Sequence, residues 1–258
     1  MSDDAPLPGL DDQARRFATD LTTMLHTVLG DGVPGFISEA SPVTDKPQRR
    51  VIVKTIDDQE IPLRVDGVEA LQLIAKFTCE WDHQDAYLAV RTSEFHVRSA
   101  GSRSNEPLFR YEFVDAMQSV LPSAHLHVHA HRDETLFQLF RSTTSKRAQS
   151  RARKALDHHL TSPRLSDIHF PLGGPLMRPG LEDVLGLLIT EFCVDTVKGA
   201  EEALTQGRLH WRRQQVGALV REAPEQAVRV LREMGYDVRW PDSKNPEPCE
   251  RTERLARP

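Results

Sequence analysis

With 258 residues, 39% of them hydrophobic and 28% charged, the chain has material for one large domain or two small ones around an ordinary globular core. A formal net charge of −5 excludes a global electrostatic pull toward nucleic acid, so any such binding needs a local basic patch. The three cysteines, Cys79, Cys193 and Cys249, are odd in number and lack CxxC spacing, which excludes an evident disulfide framework and suits a reducing cytoplasm.

In chain order, residues 1–9 read as a flexible lead, acidic and without a secretory signal. Asp11 or Asp12 suits a helix cap, and Phe17, Leu21, Met24, Leu25 and Val28 recur at helical spacing up to Gly30. The stretch from Gly30 to Pro47 is rich in Gly, Pro and Ser and reads as a loop. Arg50–Ile56 and Glu60–Val65 are short β-type runs, with Asp57-Asp58-Gln59 suggesting a hairpin between them. Leu71 to Trp81 alternates apolar and polar residues, as does Tyr87–Val90. Phe95–Arg98 resumes the pattern after an expected bend at Thr92-Ser93. Phe109, Tyr111 and Phe113 alternate with Arg110 and Glu112. Consecutive strands without crossover helices predict an antiparallel meander.

The next strand is the most distinctive stretch: Ala124-His125-Leu126-His127-Val128-His129-Ala130-His131. Alternate side chains of a strand point to opposite faces, so His125, His127, His129 and His131 share one face. Leu126, Val128 and Ala130 share the other, expected to be buried. If Phe109, Tyr111 and Phe113 join that buried side, Arg110 and Glu112 lie with the histidines.

Beyond Asp133 the period becomes helical. The segment carrying Arg141, Lys146, Arg147, Arg151, Arg153 and Lys154 contains no acid among these cations, so it can meet phosphate oxygens without reading sequence. An irregular connection through His158, His159, His169 and Gly173-Gly174-Pro175 follows; it lacks the spacing and Lys-Ser/Thr of a phosphate loop. Leu181, Val184, Leu185, Leu188, Ile189 and Phe192 predict the most apolar helix. Further helices are expected from Gly199 to Arg221 and from Pro224 to Gly235, then a last strand at Tyr236, Val238 and Trp240. Residues 241–258 read as a disordered tail.

The expectation is an α+β protein: an N-terminal helix and an antiparallel sheet of about six strands over 10–131, then a mostly helical half over 132–240. That half packs on the sheet or forms a second lobe. No apolar run reaches membrane-spanning length, so no membrane partner is expected.

Neutral imidazole ligates zinc and similar divalent ions. Same-face neighbours lie roughly 6–7 Å apart along a strand, so one ion with bonds of about 2 Å reaches only two adjacent histidines. His127 and His129 are one such pair, and the candidates for the remaining ligands are Glu112, if the last two strands pair, and His158, His159 or His169 from the following segment. His125, His127, His129, His131, Arg110 and Glu112 also suit a phosphodiester, with Arg holding phosphate and His moving protons. A hydrogen-bonding surface face is equally compatible. Cys79, within an apolar alternation, is expected to be buried rather than nucleophilic.

Through Phe109-Arg110-Tyr111-Glu112 and His125-x-His-x-His, residues 48–131 resemble the TumE-type bacterial toxins. These are small β-rich proteins whose last strands carry an Arg-aromatic-acid element and then closely spaced histidines. The resemblance implies a bacterial protein acting on nucleic acid, as a toxin-like ribonuclease; the long C-terminal part departs from that pattern. Three functions follow as expectations. One is a nucleic-acid-binding or nucleic-acid-processing protein with RNA or DNA as partner. The others are an interaction module with a protein partner, and a metal-dependent hydrolase of a small molecule.

Overall fold

The computed structural model describes residues 8–41, 50–82, 85–101, 106–115, 123–128 and 178–239. Helix α1 spans Leu10–Leu29, with Gly9 rather than an aspartate at its N-cap. Asp11 and Asp12 lie in its first turn, where the helix dipole favours them. Gly30 ends it at φ 90°, a conformation glycine adopts without strain.

Among the described residues seven strands form one antiparallel sheet: β1 (Phe36–Ala40), β2 (Val51–Thr55), β3 (Ile61–Val65), β4 (Val68–Trp81), β5 (Leu88–Ser99), β6 (Phe109–Val114) and β7 (Ala124–Val128). Their order is β1-β2-β4-β5-β6-β7, with β3 also on β4. β1 lies in the stretch expected to be a loop. Its backbone is recruited by α1: the Phe36 amide donates to Thr22 Oγ1 at 2.7 Å.

The expected β2–β3 hairpin does not form. β2 pairs with Lys76–Cys79 and β3 with Val68–Leu73, so the two lie end to end along the same side of β4. Between them Asp57 and Asp58, both at positive φ in a short 3-10 turn, carry the chain onward rather than back. β4 is long enough to pair with both, and this register puts Val51, Val53, Ile61, Leu63 and Val65 on one buried face. The true hairpin is β3–β4, turned by Asp66-Gly67, both at positive φ as a type I′ turn requires.

β5 is one continuous strand where a bend was expected. Thr78 pairs with Thr92 and Cys79 with Val90, so Arg91 is the extra residue of a bulge. The bulge brings the Arg91 guanidinium to Asp115 at 2.7 Å and to the Trp81 carbonyl at 3.0 Å.

Helices α2 (Leu181–Phe192), α3 (Ala200–Glu222) and α4 (Pro224–Glu233) complete the described residues. One buried cluster unites α1, a single face of the sheet and α2. Phe77 stands at its centre, edge-on to Phe17 at 5.1 Å and to Phe95 at 5.6 Å, while Phe109 meets Phe192 at 5.8 Å. Asp195, just past α2, ties this half to the sheet by accepting the Asp66 and Gly67 amides at 3.1 and 2.7 Å. Among the described residues no helix is long and apolar enough to cross a membrane. The alternation at Tyr236–Trp240 does not produce a strand over 236–239, where no other strand pairs with it.

Candidate functional site

The site lies on the sheet face opposite α1 and α2. Its residues share that face because Phe109 and Tyr111 are drawn into the core, which turns Arg110 and Glu112 outward. The β6–β7 register then sets Glu112 opposite His125 and Arg110 opposite His127. On the other side, β5 sets Glu94 opposite Glu112 and His96 opposite Arg110. Leu126 packs partly against the core as expected. Val128 does not: it is 40% exposed, because β7 lies at the end of the strand order and its main described neighbour is β6 alone.

Glu112 is the hub. Its Oε2 faces His125 Nε2 at 3.1 Å, a hydrogen bond, and His127 Nε2 at 3.4 Å. Its Oε1 faces Arg110 Nε at 3.2 Å and His96 Nε2 at 3.6 Å. Neither of those two nitrogens makes a hydrogen bond among the described residues, so Oε1 is held by charge and proximity rather than by aligned donors. The carboxylate and the His125 ring are well covered, with 18% and 14% of their side chains exposed; His127 is more open. Glu94 opposite Glu112 would by itself be an unfavourable like-charge pair, which the surrounding imidazoles and guanidinium offset.

The two β7 histidines lean together, ring centroids 4.9 Å apart and nearly perpendicular. Glu112, His125 and His127 thus offer three ligand atoms all within 4.8 Å of one another. Four ligands at bonds of about 2.0–2.1 Å around a tetrahedral ion stand about 3.3–3.4 Å apart. The two nitrogen–carboxylate distances match that spacing. To ligate, His125 would carry its proton on Nδ1, leaving the Nε2 lone pair toward the corner.

His96 is the site residue that sequence reading missed. Burial lowers its pKa below the ordinary imidazole value, against the opposing pull of Glu94 and Glu112, so the neutral ring is favoured near pH 7. Its signal was present in Glu94-Phe95-His96-Val97-Arg98, which alternates as cleanly as the strand after it. Of the expected catalytic residues, the structure brings together His125, His127, Arg110 and Glu112. His129, the second expected metal ligand, and His131 lie outside the described residues. So do Arg141, Lys146, Arg147, Arg151, Arg153, Lys154, His158, His159 and His169. Cys79 is buried as expected, and burial pushes its thiol up to about 12, far from a nucleophilic thiolate.

The arrangement groups one carboxylate oxygen and two imidazole nitrogens, the atom types that divalent cations take, and it sets a guanidinium beside that corner. No family model, no curated protein and no solved structure matches the chain.

Proposed function

We propose that this protein is a divalent-cation-dependent phosphodiesterase acting on nucleic acid, with Glu112, His125 and His127 holding the cation. The observation that carries the proposal is the Glu112 corner, where Oε2 lies 3.1 and 3.4 Å from two imidazole nitrogens. Structural zinc sites are closed by four protein ligands, whereas three leave a position for water or a phosphate oxygen. Arg110 and His96 act on the other oxygen of the same carboxylate, and such outer partners fix a ligand's orientation. Arg110, about one-third exposed, is placed to meet a phosphate oxygen as well.

A nucleic-acid substrate is favoured by that guanidinium, by the cation-rich run Arg141–Lys154 that follows β7 in sequence, and by the resemblance to TumE-type toxins. The test is elemental analysis of the purified protein together with cleavage of labelled RNA and DNA. The proposal expects about one zinc-class ion per chain and cation-dependent cleavage, both lost in His125→Ala/His127→Ala. A wild-type protein that binds no divalent ion at micromolar concentration and cleaves neither polymer would refute it.

A second reading has its own support. Leu209, Val216 and Val220 are exposed on α3 at spacings of seven and four, one face of a helix. Such a stripe suits a protein partner, and replacing Val216 and Val220 by Lys should abolish any self-association or partner binding that size-exclusion chromatography detects.

A further inference from the structure

A second carboxylate stands beside the Glu112 corner, on the neighbouring strand. Ser93 and Phe95 of β5 are drawn into the core, so Glu94 between them turns to the face that carries Glu112. The β5–β6 register sets the two glutamates directly opposite each other, a position in which Cβ atoms lie about 4.5–5.5 Å apart. Glu94 is half-buried, so water screens its charge only in part.

The two glutamates are served unequally. Arg110, His96, His125 and His127 each bring a nitrogen to within 3.2, 3.6, 3.1 and 3.4 Å of Glu112. Glu94 makes no hydrogen bond and no ion pair among the described residues. Lys76 stands opposite it on β4, half-buried, and makes no ion pair with it. The charge of Glu94 still reaches the corner, where it acts on the His96 ring against the effect of burial. The other acids that bear on this face are already engaged, Glu39 with Lys54 and Glu60 with Arg98. Glu94 is therefore the acid beside the corner whose charge has no close partner among the described residues.

We infer that Glu94 is a positioning residue of the cation site, accepting a hydrogen bond from water carried by the ion that Glu112, His125 and His127 ligate. The ligand atoms that lie within 4.8 Å of one another stop at those three residues, so Glu94 meets the ion through water rather than directly. An ion with three protein ligands keeps a position for water. A carboxylate that accepts from this water orients it and adds negative charge near the ion, and outer partners of this kind are worth about 10–100-fold in metal affinity. The inference rests on the cation reading of the Glu112 corner and adds to it the residue that holds the water in the open position.

The experiment is competition for zinc between the full chain and a chromophoric chelator, in wild type, Glu94→Gln, Glu94→Asp and Glu39→Gln. The last removes an equal charge from the same face at the far end of the sheet. Glu94→Gln should bind zinc about 10–100-fold more weakly than wild type. Glu94→Asp, which keeps the charge, should bind at least about threefold tighter than Glu94→Gln, and Glu39→Gln should stay within about twofold of wild type. In EDTA, Glu94→Gln should melt within about 2 °C of wild type, because no hydrogen bond or ion pair of the sheet has been removed. The inference is overturned, with the Glu112 corner left standing, by zinc affinity of Glu94→Gln within about twofold of wild type, by an equal loss in Glu39→Gln, or by a fall in melting temperature that matches the loss of binding. Wild-type protein that takes up no zinc would overturn the cation reading and this inference together.

Discussion

Two carboxylates of this sheet, Glu80 and Glu112, are both drawn into clusters of basic side chains, and the clusters are built for different ends. Glu80, 9% exposed in its side chain, accepts a hydrogen bond from Arg50 Nε and lies 3.3 Å from Arg91 Nε. Arg91 is itself fixed by Asp115 and the Trp81 carbonyl. Guanidinium groups keep their charge at any accessible pH and donate only, so the basic partners of this cluster neither give up protons nor offer lone pairs. Glu112 has three imidazoles and one arginine around it. Imidazoles exchange protons and offer lone pairs, which is the chemistry the proposed cation site draws on. Arginine partners make an anchor; histidine partners are what the proposed function requires.

The largest effect should come from His125→Ala/His127→Ala. Losing two of three ligands should remove the bound cation and lower cleavage by about a thousandfold or more, with a melting temperature within about 2 °C of cation-free wild type. A variant that unfolds instead would make the Glu112 cluster an anchor like that of Glu80. Next is Glu80→Gln, which leaves two arginine side chains facing a neutral group. Unfolding in urea should show a loss of about 2–4 kcal/mol, with cation content unchanged. Equal stability to wild type would deny Glu80 its anchoring role.

Arg110→Lys should be milder, lowering cleavage about tenfold while the cation stays bound, since a point charge replaces a planar fork. Loss of the cation in that variant would place Arg110 among the groups that build the corner rather than among those that meet substrate. The smallest effect is expected at Val128→Asp. With 40% of the residue exposed, the new carboxylate keeps its water, and thermal or urea unfolding should register less than about 1 kcal/mol.

Much of the fold and half of the site are legible in the chain. The alternation Arg110-Tyr111-Glu112 and the His-x-His repeat put the right side chains on one face by periodicity alone. What periodicity does not supply is partnership across strands. The position of His125 opposite Glu112, and of His96 behind it, depends on which strands pair and in which register, information spread over residues far apart. The same limit explains the missing β2–β3 hairpin: Asp57-Asp58 is a sound local turn signal, and a long neighbour, β4, overrides it. Val128 alternates correctly but lies where little packs, so its apolar character says nothing of its burial. β1 is hidden because Ser38 and Glu39 are polar, and its place is set by Thr22 of α1 and by pairing with β2.

The reach of β4 has a consequence for how the protein opens. Its Val68–Trp81 backbone is bonded along one side to β2 and β3 in tandem and along the other to β5, and Phe77 lies at the meeting point of the aromatic core. Its middle residues are all paired with β5, so freeing the amides that point there means parting the two longest strands over the aromatic core. In native-state deuterium exchange, the amides of Leu71–Phe77 should therefore be the last to exchange, at the free energy of global unfolding. Those of α4, which has no buried residue, should exchange orders of magnitude sooner.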